Sequence, residues 1–116
     1  MNGNIVWQNT EKDYDYRSAV VVEDGIIVAG NGGNIVKYDS NGNVIWDNSD
    51  RTYPYRGIAL SSDGVIAVAS LGQVAKYDFE GNLVWENIEK DYDYEAAMRQ
   101  NWGVQRRAAF MVFLAG

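Results

Sequence analysis

The segments Asp13-Tyr14-Asp15-Tyr16 and Asp91-Tyr92-Asp93-Tyr94 set carboxylates beside phenol rings, and Tyr53-Pro54-Tyr55 stands between them in the chain. That combination suits two kinds of chemistry. Flat rings next to carboxylates bind sugars or cationic ligands, by stacking and by hydrogen bonds. Two carboxylates at a defined separation, one with a raised pKa, serve as the acid and base of a glycoside hydrolase. A plainer reading stands beside both. Tyrosines that recur at fixed positions pack one repeat against the next, and acidic residues multiplied by duplication belong to a surface. On balance the expectation is a protein that is not an enzyme.

Other chemistry has few residues to work with. The chain has no cysteine and no histidine. Disulfides, thiol nucleophiles, the Ser/His and Cys/His pairs and nearly all zinc and copper sites are thereby excluded. The segment Asp39-Ser40-Asn41-Gly42-Asn43 looks superficially like a calcium loop. It lacks the distal glutamate of such loops and lies between two strand-like runs, so it reads as a turn. No metal ligand and no cofactor is expected.

The elements that must position these residues repeat. Trp7, Trp46 and Trp85 are spaced by 39 residues, and Asn9, Asn48 and Asn87 follow them in the same register. Tyr14, Tyr53 and Tyr92 keep that register, as do Tyr16, Tyr55 and Tyr94 and the glycines Gly3, Gly42 and Gly81. Residues 3–55 align without a gap on 42–94 with 20 identities in 53 positions. A period of this length marks an array of supersecondary units.

Within a unit the apolar runs are short, rich in Val and Ile, and separated by turn residues, which is the pattern of strands. Four strands fit the first unit, at 17–22, 26–29, 34–39 and 43–48, and four fit the second, at 56–61, 65–69, 73–78 and 82–87. The turns Asp24-Gly25, Gly30 to Gly33 and Ser40-Asn41-Gly42 are expected to supply the positive-φ residues of tight hairpins. Runs such as Ile26 to Ala29 are apolar on both faces, so each sheet should be covered on both sides. The tryptophans are expected as wedges between neighbouring sheets.

The stretches GNIVKYDSNGNVIW (33–46) and GQVAKYDFEGNLVW (72–85) resemble the repeat of the pyrroloquinoline-quinone-like and WD40-like β-propellers. The resemblance covers residues 3–94. It implies an all-β, propeller-like fold of four-stranded antiparallel blades, with an orphan strand at 3–9 and blades at 17–48 and 56–87. It implies no particular activity, because the architecture serves many, and it does not imply pyrroloquinoline quinone.

After Tyr94 the pattern breaks. Residues 95–116 carry three arginines and one glutamate, while 1–94 carry 7 basic and 15 acidic residues. Ala, Met, Arg and Gln favour a helix there, with Met98, Trp102, Ala109, Val112 and Phe113 on one face. The alternative is a degenerate third blade with strands near 96–100, 104–108 and 109–114.

Propellers close with about four to eight blades, and two units fall short of that. A homo-oligomer sharing strands is therefore expected, with Trp7, Trp102, Phe110, Met111 and Phe113 as candidate interface residues. The net charge of −6 disfavours nucleic acid. The first residues lack the charged and apolar regions of a signal peptide, and the run from Ala108 to Ala115 is too short to span a bilayer. A cytoplasmic protein without a membrane partner is the expectation. Three functions follow in order: a non-catalytic binding or interaction module assembling with itself; a lectin-like receptor for a carbohydrate, small ligand or protein, using the tyrosine and aspartate loops; and a small carboxylate-dependent hydrolase.

Overall fold

Short Val/Ile runs bounded by Asp-Gly and Asn-Gly turns can satisfy their backbone groups only by pairing with one another. The computed structural model describes residues 3–88 and shows that pairing. The strands are β1 (Tyr16–Val22), β2 (Gly25–Gly30), β3 (Ile35–Asp39), β4 (Val44–Asn48), β5 (Tyr55–Ser61), β6 (Gly64–Ala69), β7 (Val74–Asp78) and β8 (Leu83–Asn87). They form two four-stranded antiparallel sheets, ordered β1-β2-β3-β4 and β5-β6-β7-β8. Every strand expected within the two units lies within a residue of its place. Residues 3–9 differ, because they enter no sheet ladder. The segment 95–116, with Trp102, Phe110, Met111 and Phe113, lies outside the described residues, as do Asp91, Tyr92, Asp93 and Tyr94.

The turns depart from expectation in one respect. Val22 pairs with Gly25 and Ser61 with Gly64, so the first hairpin of each sheet has a two-residue loop. Gly64 has no positive φ. Glycine is needed here for proximity, since a Cβ on Gly25 or Gly64 would collide with the carbonyl oxygen of Tyr38 or Tyr77 on the next strand. Gly25 itself stands at φ 159°, close to extended backbone, and left-handed φ appears later in each unit, at Gly33 and Gly42 and again at Gly72 and Gly81.

Irregularities recur at matching places. Lys37 pairs with Trp46 but Tyr38 with Val44, and Lys76 pairs with Trp85 but Tyr77 with Leu83. The skipped residue in the fourth strand reverses the alternation of its side chains. Val44 consequently packs with Val28, Val36 and Tyr38 on the outward face of the first sheet, while Trp46 turns toward the second sheet.

The two sheets pack face to face, with β1 and β2 against β5. Ile27, Ala29 and Ile35 of the first sheet meet Tyr55, Ile58, Val65, Ala67 and Tyr77 of the second in one core. A separate buried cluster of Ile66, Val68 and Val74 occupies the other face of the second sheet. Every residue of β6 is buried, so the two-faced apolar run there is covered on both sides as its composition requires.

Candidate functional site

What holds one unit to the next is a contact made twice in the described residues. The indole of Trp46 lies over Gly81, in the β7–β8 turn, and that of Trp7 lies over Gly42, in the β3–β4 turn. A Cβ on Gly42 would run into Cε3 of Trp7, and one on Gly81 would stand 2.5 Å from Cδ2 of Trp46. Both glycines hold φ near +90°, at 87° and 89°, a conformation that side chains with a Cβ rarely adopt. Only glycine gives both the turn and the flat seat for the ring.

Two residues after each tryptophan, an asparagine completes the seat. Asn9 Nδ2 donates to the carbonyl oxygen of Gly42 at 2.7 Å, and Asn48 Nδ2 to that of Gly81 at 2.9 Å. Trp46 also donates from Nε1 to the carbonyl oxygen of Phe79 at 3.0 Å. Trp7 instead stacks on Tyr38, with ring centroids 6.4 Å apart and 24° between planes.

The turns themselves are braced by their first aspartate. Asp39 Oδ1 accepts the N–H groups of Asn41 and Asn43 at 2.8 and 2.9 Å, and Asp78 Oδ1 accepts those of Glu80 and Asn82 at 3.0 and 2.9 Å. The backbone N–H of the asparagine four residues on, donated to each carboxylate, does most to hold both below the usual carboxylate range. The segment with a superficial likeness to a calcium loop is such a turn, as its residues suggest, with its carboxylate turned onto its own backbone.

Further along each linker the clamp continues. Tyr14 donates to Asp47 Oδ2 at 2.8 Å, and Lys12 Nζ pairs with the same oxygen at 3.1 Å. One unit on, Tyr53 donates to Glu86 Oε1 at 2.6 Å, and Arg51 reaches both Glu86 oxygens at 2.8 and 3.0 Å. Partial burial raises the Asp47 pKa, but bonds from Ser49, Tyr14 and Lys12 outweigh it and leave the group lowered. Arg51, with Tyr53, lowers Glu86. Each of the two segments therefore reaches forward with a Trp-x-Asn pair, a cation and a tyrosine, and grips the fourth strand and turn of the sheet that follows.

The tyrosines singled out from the sequence are placed by this arrangement. Tyr14 and Tyr53 spend their hydroxyls on Asp47 and Glu86. The hydroxyl of Tyr16 meets that of Tyr38 at 2.7 Å, and that of the fully buried Tyr55 meets Tyr77 at 2.8 Å. Each pair stands edge to face, as do Tyr14 with Tyr16 and Tyr53 with Tyr55. Asp13 and Asp15 are exposed, and Asp15 pairs with Arg17 at 2.7 Å.

Two lysines escaped notice in the sequence. Lys37 and Lys76 are buried in the third strand of each sheet, and their ammonium groups surface beside Asp24 at 2.9 Å and Asp63 at 2.8 Å. The signal was present in the invariance of both pairs between the units. A cavity of about 360 Å³ opens beside the first, lined by Val22, Glu23, Asp24, Lys37, Phe79 and Glu80. Its rim carries three carboxylates to one ammonium, which disfavours anions. Among the described residues no cluster of acidic side chains is arranged to hold a metal ion.

No family model matches this sequence, and no curated protein is detectably similar to it.

Proposed function

We propose that the chain is a non-catalytic interaction module whose two sheets are propeller-type blades, and that it works after assembling with copies of itself. The observation that carries this reading is the Trp-x-Asn clamp. Trp7 with Asn9 and Trp46 with Asn48 each engage the glycine turn of the unit that follows. Trp85 and Asn87 repeat the same pair in β8. Exposed apolar residues adjoin them in the chain, Val84 and Ile88. An apolar surface of this kind is what association covers.

The face-to-face stacking supports blades over other sheet arrangements. Each sheet is a four-strand meander, and β1 and β2 of one lie against β5 of the next. A wedge tryptophan, Trp46, joins the two layers. The test is the native mass by light scattering, for the full chain and for a chain ending at Tyr94. A discrete oligomer for the full chain is expected. A monodisperse monomer at micromolar concentration defeats the reading.

A further inference from the structure

The cavity of about 360 Å³ draws its lining from both sheets. Val22 ends β1, Glu23 and Asp24 form the loop after it, Lys37 lies in β3, and Phe79 and Glu80 belong to the β7–β8 turn of the second sheet. Val22 and Phe79 are half-buried and pack on the core that the sheets share, so they supply an apolar wall. The turn that carries Phe79 and Glu80 is fixed from two sides. Trp46 Nε1 donates to the carbonyl oxygen of Phe79, and the Glu80 N–H donates to Asp78 Oδ1.

The charges around this wall are unequal. Lys37 Nζ pairs with Asp24 at 2.9 Å, and the two charges cancel. The carboxylates of Glu23 and Glu80 are exposed and form no ion pair or hydrogen bond among the described residues. They face the cavity from different sheets and leave it with an uncompensated negative charge.

The repeat accounts for only part of the lining. One period on, Asp24 and Lys37 become Asp63 and Lys76, which pair in the same way at 2.8 Å. Val22 and Glu23 become Ser61 and Ser62, and one period back Phe79 and Glu80 become Ser40 and Asn41. Duplication thus explains the ion pair. The apolar wall and the free carboxylates are particular to this junction.

We propose that the cavity binds a small organic cation, an ammonium group carrying a compact apolar body. Its volume is that of a small-molecule site. The Phe79 ring and Val22 receive the apolar body, the ring also attracts the positive charge, and Glu23 and Glu80 flank the ammonium. A neutral molecule of the same shape loses the second half of this recognition, and an anion is repelled.

The inference is independent of self-assembly, and its test reads the cavity directly. The full chain is titrated with benzylammonium chloride, and with benzyl alcohol as the neutral counterpart, while backbone amide shifts are followed by nuclear magnetic resonance. Saturable shifts at Glu23, Asp24, Phe79 and Glu80 are expected with benzylammonium, together with much weaker binding of benzyl alcohol. Glu23→Ser and Glu80→Asn place the other unit's residues in these loops and so keep the turns. Each should weaken benzylammonium binding by up to about fivefold, and the double variant should bind the ammonium no better than the alcohol. Asp13→Asn, an exposed carboxylate outside the lining, should leave binding unchanged. Equal binding of amine and alcohol by the parent, an unaltered affinity in the double variant, or no saturable shift at the lining residues would each overturn the proposal.

Discussion

The hydroxyl oxygens of Tyr55 and Tyr77 lie 2.8 Å apart between the two sheets, and both side chains are withdrawn from solvent. A buried hydroxyl without a partner costs about 1–3 kcal/mol. Tyr77→Phe should therefore destabilise the protein by about that much, read from the urea midpoint. The Tyr55→Phe/Tyr77→Phe double variant should lose less than the two single losses added together, because it leaves neither oxygen stranded. Strict additivity would show that the two hydroxyls do not depend on each other. Tyr16→Phe should cost less, since its pair with Tyr38 is half-buried.

Gly81→Ala asks for a Cβ where the Trp46 ring lies, at a backbone φ of 89°. The strained backbone alone costs about 1–3 kcal/mol, and displacing the indole adds to it. We expect a loss larger than that of Gly42→Ala, because the Trp46 seat joins two complete sheets. Thermal unfolding of both variants checks the order, and equal losses would contradict it.

Stability should fall at both ends of the pH scale. Asp24, Asp63 and Glu86 are lowered chiefly by bonds to Lys37, Lys76 and Arg51, and Asp39 and Asp78 by backbone N–H groups. A lowered carboxylate stabilises the fold fully above its ordinary value near 4, and that contribution is lost as pH falls through the folded pKa. Burial raises Tyr16, Tyr55 and Tyr77. A raised phenol contributes fully below its ordinary value near 10, and the contribution drains away as pH rises beyond it. Urea midpoints measured from pH 2 to pH 12 should trace a plateau between these limits, and a midpoint still constant above pH 11 would contradict the buried tyrosine pairs.

Lys76 runs its stem through the sheet and ends beside Asp63. Lys76→Met keeps the buried stem and removes only the charge at its tip, so stability should change by less than about 1.5 kcal/mol. Lys76→Glu, with its shorter side chain, leaves a carboxylate within the buried channel of the stem and without the Asp63 pair, and should destabilise the fold far more than Lys76→Met, as urea midpoints would report.

The strands were legible because their pattern is local. Short Val/Ile-rich runs between Asp-Gly and Asn-Gly turns predict hairpins whatever lies around them, and all eight expected within the two units were found. Trp46 was legible as a wedge because an indole repeated inside a strand needs a facing surface. Other features were not open to such reading. The role of Asn48 depends on a carbonyl 33 residues away, at Gly81. The pairing of Tyr16 with Tyr38 depends on where two strands bring their rings together.

By itself the sequence determined the period of 39 residues, the meander within each unit and the positions where glycine is compulsory, since these follow from pairing and backbone geometry along a short stretch of chain. Only the tertiary structure decided that the phenols of Tyr14 and Tyr16 are spent inside the fold and that Trp7 rests on Gly42. Those outcomes depend on distances between residues more than twenty positions apart, and such distances exist only once the sheets have stacked and driven water from between them.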